Sequence, residues 1–153
     1  MSEYTLRQGT AADIETMARH RALMFADMGD GTPETRAEMS ERFAPWVLER
    51  LVSGEYHAWL VECDGGVVAG AACWEKPRHP GLRGTHPRVA YVLNVYTNPE
   101  HRGRGLARML MEHILGWARA EGFATVELHA SDEGRPLYEK LGFSQTNEMR
   151  LVL

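Results

Sequence analysis

The spacing of apolar positions changes several times along the chain, and each change marks an element. Residues 4–8, "YTLRQ", alternate and predict a short first strand. Beyond them Ile14, Met17, Ala18, Ala22 and Phe25 recur three or four residues apart, which predicts an amphipathic helix. "TAAD" at 10–13 gives that helix a capping box, a hydroxyl followed three residues later by a carboxylate. "MGDGTP" breaks it. Thr32 then caps a second helix with Pro33 at its first position. Met39, Phe43, Val47 and Leu51 share one face of this helix, and Gly54 closes it.

From residue 55 the period shortens. "EYHAWLVEC" and "VVAGAACWE" flank Asp64-Gly65-Gly66 and predict a hairpin. Residues 76–87 form a polar loop with three prolines, two glycines and two histidines. "RVAYVLNVYT" at 88–97 is apolar on both faces and reads as a central strand. A helix over about 104–121 puts Leu106, Leu110, Ile114 and Trp117 on one face, with Gly122 as its cap. "FATVELHA" (123–130) predicts another strand, "EGRPLYEKLG" (133–142) a short helix, and "FSQTNEMRLVL" one or two closing strands. Strand, two helices, antiparallel strands and then strand–helix–strand–helix–strand describe a single α/β domain over 1–153, with a parallel crossover in its second half.

Composition narrows the field. The chain has 153 residues, 44% hydrophobic and 25% charged, which is ordinary for one globular domain. A net charge of −4 argues against a general nucleic-acid binder. No apolar run is long enough for a signal peptide or a membrane span, so a cytoplasmic protein is expected. Cys63 and Cys73 lack the second pair that a zinc site needs and read as reduced interior residues. His79, His86 and His101 follow no metal-ligand spacing, so no metal is expected.

The informative chemistry lies in "VYTNPEHRGRGLA". Pro99 stops the central strand because it lacks the N–H of the ladder. Gly103 and Gly105 then let the chain curl into the next helix, where successive N–H groups and the positive helix end suit an anionic phosphate. Arg102, Arg104 and Arg108 offer charge-assisted donors around it. The P-loop is excluded by the absence of Gly-Lys-Ser/Thr, and the dinucleotide fingerprint by a missing third glycine. Alone, such a turn is more often a solvated bend. Here Arg102, Gly105 and Ala107 match R/Q-x-x-G-x-G/A, and "PLYEKLGF" follows with Tyr138 placed 36 residues after Arg102. These two linked motifs, within residues 88–143, resemble the GNAT superfamily of N-acetyltransferases.

The resemblance implies a GNAT fold: a mixed sheet of six to seven strands with about four helices, its fourth strand bulged and splayed from the fifth. It implies acetyl-CoA as cosubstrate, with pantetheine on the backbone of Val95, Tyr96 and Thr97. The pyrophosphate would lie on the amides of Gly103, Arg104, Gly105, Leu106, Ala107 and Arg108, beside Arg102. An N–H near Val95 would stabilise the oxyanion. Tyr138 takes the place of the family's general acid. The asparagine and alanine that many members carry upstream of that tyrosine are here Ser131 and Gly134, and Ser131 keeps one hydroxyl for the coenzyme.

The strand 88–97 has no carboxylate to act as base. His129 is the first candidate, since imidazole titrates near neutrality, with Glu148 and Asp132 behind it. Asn94 is a candidate for orienting a water. A lone strand histidine is more often structural, and Met24, Phe25, Met28 and Trp46 read first as core rather than as an acceptor pocket. No cysteine lies near Tyr138, so direct attack by a primary amine in a ternary complex is expected. A non-catalytic acyl-CoA sensor is the alternative. No nucleic acid or membrane partner is expected. A homodimer agrees with the family's habit, although the sequence carries no interface signal, and the acceptor is an unidentified amine.

Overall fold

The computed structural model describes residues 3–153. Strand β1 (Thr5–Gln8) leads through a single 3-10 turn, Ala11–Asp13, into helix α1 (Ile14–Asp27). Thr10 and Asp13 close the expected capping box. Helix α2 (Pro33–Ser53) starts on the reciprocal pair Thr32 and Thr35 and ends at Gly54, whose φ of 80° suits only glycine well. Pro45 lies inside α2 without ending it.

Strands β2 (Tyr56–Cys63), β3 (Gly66–Pro77) and β4 (Arg88–Thr97) follow, then α3 (Leu106–Ala120), β5 (Val126–Glu127) and α4 (Arg135–Lys140). The sheet order is β1-β2-β3-β4-β5, antiparallel except for the parallel β4–β5 pair. Alternation along β2 sends Tyr56 and Ala58 towards α1 and α2, and Trp59, Val61 and Cys63 towards α3. The α3 side is the larger core, where Leu110, Met111 and Ile114 are fully buried. The α1–α2 side gathers Met17, Phe43, Val47, Tyr56, Ala58 and Ala72. Cys63 and Cys73 are buried free thiols, as expected.

The sheet has five strands where six to seven were expected. The strand at 123–130 contracts to Val126–Glu127, and residues 143–153 form no strand. No backbone hydrogen bond joins residues 144–153 to the other described residues, and Met149, Leu151, Val152 and Leu153 are exposed. An alternating sequence becomes a strand only when it pairs with a ladder, and residues 144–153 pair with none.

Candidate active site

The site begins with a fault in the β3–β4 ladder. Ala72 pairs with Leu93 and Gly70 with Tyr96, so β4 carries one residue more than β3 across this stretch. Asn94 absorbs the excess at φ 57°, a left-handed conformation that asparagine tolerates better than most residues. One extra residue also exchanges the faces of the strand. Before the bulge Ala90 and Val92 belong to the α3 core. After it Val95 packs on that side, while Asn94 and Tyr96 turn towards α1.

Asn94 is buried, with Oδ1 accepting from Arg21 Nη1 at 2.8 Å and Nδ2 donating to the Met17 carbonyl at 3.2 Å. Both ends of its amide are therefore fastened by α1. The bulge also ends the neighbouring pair. β4 meets β5 only at Ala90–Val126 and Tyr91–Glu127, so from Val92 onward its edge on that side has no strand partner.

This open edge runs into the glycine–arginine turn. Pro99–His101 forms a 3-10 turn, and Gly103 (φ 74°) and Gly105 (φ 78°) are both left-handed. Nothing lies within 4 Å of a Cβ built on either, so backbone conformation rather than space calls for glycine there. Gly105 caps α3 without a side-chain acceptor, and the first intrahelical bond runs from Met109 N–H to the Gly105 carbonyl. The N–H groups of Gly103 through Arg108 meet no acceptor among the described residues. A run of unclaimed donors at the positive end of a helix fits a pyrophosphate.

Each of the three arginine side chains has a partner within the protein. Arg102 donates through Nε to the Thr97 carbonyl at 2.9 Å and pairs with Asp27 at 2.7 Å, its guanidinium over the Tyr96 ring. Arg104 donates to Tyr4 Oη, and Arg108 pairs with Glu112 one helical turn on. Arg102 thus anchors the turn to α1, and the backbone is the feature left available.

Tyr138 lies on α4, buried against the α3 core and edge-on to Phe143. Burial raises its pKa above the ordinary tyrosine value, so its hydroxyl stays protonated at neutral pH. No described residue hydrogen-bonds that hydroxyl. Ser131 Oγ accepts from Gly134 N–H at 3.1 Å and so secures the entry to α4. A Cβ at Gly134 would stand 2.9 Å from Tyr138 Cε2 and 3.2 Å from Ser131 Oγ. A side chain at position 134 would therefore press on the Tyr138 ring.

His129 is exposed and shares a 2.9 Å hydrogen bond between Nδ1 and Tyr91 Oη. Glu148 and Arg150 lie near enough to act on the charge of Tyr91. No contact joins His129 to Tyr138. The other three histidines of interest are dispersed: His101 bonds Tyr4 Oη, His86 accepts from Arg88 N–H and stacks on Phe123, and His79 lies against Pro80.

Sequence reasoning missed a polar group beneath α1. Arg21 stands on the apolar stripe between Met17 and Phe25, and a charge on such a stripe was the available signal. Its guanidinium lies 5.0 Å from the Phe25 ring centre and 5.5 Å from that of Phe43. His20 Nε2, Tyr56 Oη and Trp74 Nε1 are buried on this side without a hydrogen-bond partner. A small cavity lined by Met17, His20, Tyr56, Gly70 and Asn94 adjoins the bulge.

Comparison with known proteins places this geometry. Residues 19–143 match the model of the acetyltransferase (GNAT) family. A GCN5-related N-acetyltransferase from Ralstonia eutropha superposes with a TM-score of 0.93 at 33% identity, covering 99% of both chains. A predicted acetyltransferase from Clostridium acetobutylicum, solved with acetyl-CoA, gives 0.90 at 24% identity, over 99% of this chain and 96% of its own, which shows likeness of fold. The L-amino acid N-acyltransferase MnaT of Escherichia coli is 28% identical over 99% of this chain and 84% of its own length. The match to the first curated relatives spans only 28–39% of their length. On the family match and the Ralstonia structure, the chain belongs to the GNAT family of acetyltransferases.

Proposed function

We propose that the protein is an N-acetyltransferase that moves an acetyl group from acetyl-CoA to a primary amine by direct attack in a ternary complex. The observation that carries the reading is the open edge of β4 beyond Tyr91 leading into the unclaimed N–H groups of Gly103–Arg108. Acetyl-CoA supplies the activated thioester. Val95, Tyr96 and Thr97 offer backbone to its pantetheine as an added strand would be offered one. The amides from Gly103 to Arg108 hold the pyrophosphate, Arg102 keeps the turn in place, and Ser131 fixes the start of α4. An N–H near Val95 faces the developing oxyanion.

Tyr138 donates its hydroxyl proton to the departing thiolate. Its raised pKa makes the donor form the resting form, and its lack of a protein partner leaves the proton uncommitted. His129, held by Tyr91, takes a proton from the acceptor ammonium, and the neutral amine then attacks the thioester carbonyl. Buried Cys73, pushed up to about 12 by burial, offers no thiolate for a covalent route.

The test is thiol release from acetyl-CoA with a panel of primary amines, for the parent protein and Tyr138→Phe. We expect kcat to fall by about 10² or more, with acetyl-CoA affinity by calorimetry retained. Because burial raises the Tyr138 pKa, any alkaline loss of acid function should set in at a higher pH than an unburied tyrosine would give. Unchanged turnover in the variant would remove Tyr138 from the mechanism.

A further inference from the structure

Arg21 is partly covered by the fold yet has no acid to balance it. Arg7 meets Asp13 and Glu62, Arg88 meets Glu55, and Arg102 meets Asp27. Arg21 pairs with no carboxylate among the described residues. Its contacts are the Phe25 and Phe43 rings and the single bond to Asn94 Oδ1. Burial lowers its pKa while Tyr56 and Tyr91 raise it, and a guanidinium remains charged throughout the working range. Asn94 accepts one of its five N–H groups, leaving the fork able to receive a planar anion.

Its neighbours have the same bias. Tyr56, which acts electrostatically on Arg21, has a buried hydroxyl without a partner, and Trp74 Nε1 is a second such group. Phe43, Trp46, Tyr56 and Trp74 form one aromatic cluster, in which Trp46 joins Tyr56 at 5.9 Å and Trp74 at 5.3 Å. This side of the sheet thus presents a cation that no carboxylate pairs among the described residues, together with unfilled donors. Position gives the bias its meaning. The residue Arg21 grips is the bulge of β4, immediately before the backbone on which the thioester is proposed to lie.

We infer that Arg21 is the carboxylate-binding residue of the acceptor site, and that the acceptor is an amine that also carries a carboxylate, as an amino acid does. The inference rests on the acetyl-transfer reading and deepens it. The carboxylate takes the guanidinium fork in a two-point contact, the aromatic wall of Phe25 and Phe43 excludes water, and the amine is held on the β4 side. Arg21 selects the acceptor and takes no part in proton transfer.

The experiment compares amino acids with their amides and methyl esters as acceptors, in the parent protein, Arg21→Met and Arg21→Lys. The parent should favour the free acid by about 10²-fold in kcat/KM, the loss expected for a missing charged hydrogen bond. Arg21→Met should remove that preference, raising KM for the acid by far more than KM for the amide. Arg21→Lys should keep part of it, since charge remains and the fork is lost. Circular dichroism and acetyl-CoA calorimetry report whether the variants keep the fold and the coenzyme site. Equal parent turnover of acid and amide would overturn the inference and leave acetyl transfer standing, as would an Arg21→Met variant that loses both alike. Silence towards every amine, with acetyl-CoA still bound, would overturn acetyl transfer itself and this inference with it.

Discussion

Under α3 the sheet is covered by Leu106, Leu110, Met111, Ile114 and Ala118, which meet Val61, Cys73 and Val92 in an apolar seam. Under α1 and α2 the same strands meet His20, Arg21, Asn94, Tyr56 and Trp74, several with polar atoms that no protein group satisfies. Cores usually satisfy buried polar groups, because each unmet donor costs about 1–3 kcal/mol. The contrast shows two kinds of work divided between the faces. The α3 face is an apolar seam, while the α1–α2 face leaves buried polar groups unmatched beside the bulge.

Three perturbations sharpen this contrast. The largest should be Leu110→Ala on the apolar face, where a fully buried side chain leaves a cavity and costs about 2–5 kcal/mol. Urea unfolding should show it with little dependence on pH. An effect below about 1 kcal/mol would mean that the seam repacks freely.

Next comes acid sensitivity from the polar face. Burial and nearby Arg19 hold the His20 pKa at about 4 against an ordinary 6.5. The unfolded chain therefore binds the proton first, and stability that is complete above pH 6.5 is lost as the pH falls towards 4. The gap corresponds to roughly 3 kcal/mol in full. His20→Leu should flatten stability across that window. Asp13 is separable, because the Arg7 guanidinium holds it at about 2 and its contribution is lost only as the pH falls from 3.8 to that value. A parent protein equally stable at pH 7 and pH 4.5 would contradict this account.

The smallest effect tests the seam between faces and site. Gly134→Ala should press on the Tyr138 ring and lower kcat by about tenfold, a smaller loss than a full 1 Å misplacement brings. Thermal stability should move by less than 1 kcal/mol, since the backbone of Gly134 is already right-handed. Unaltered kcat would show that the Tyr138 ring has room to give.

Much of this was legible in the chain. The capping boxes at Thr10 and Thr32, the closing Gly54 and the hairpin at Asp64–Gly66 depend on near neighbours, so local sequence was enough. The turn from Pro99 to Gly105 and the helix behind it were readable for the same reason. Tyr138 was found through its motif, and the structure buries it against the α3 core.

Local pattern failed where a residue's meaning depends on what lies across the fold. Asn94 and Arg21 are distant in sequence, and only packing α1 over the bulge makes them partners. Residues 144–153 have a strand-like pattern, yet a strand is a relation between two chains of hydrogen bonds, and the described fold gives them no ladder. The sequence by itself determined most of the elements, their order, the glycine turn before α3 and the family, because these rest on periodicity, caps and short motifs. Tertiary structure alone decided which face each β4 residue occupies, that Arg21 meets Asn94 and how Tyr138 is buried, because each is a contact between distant segments.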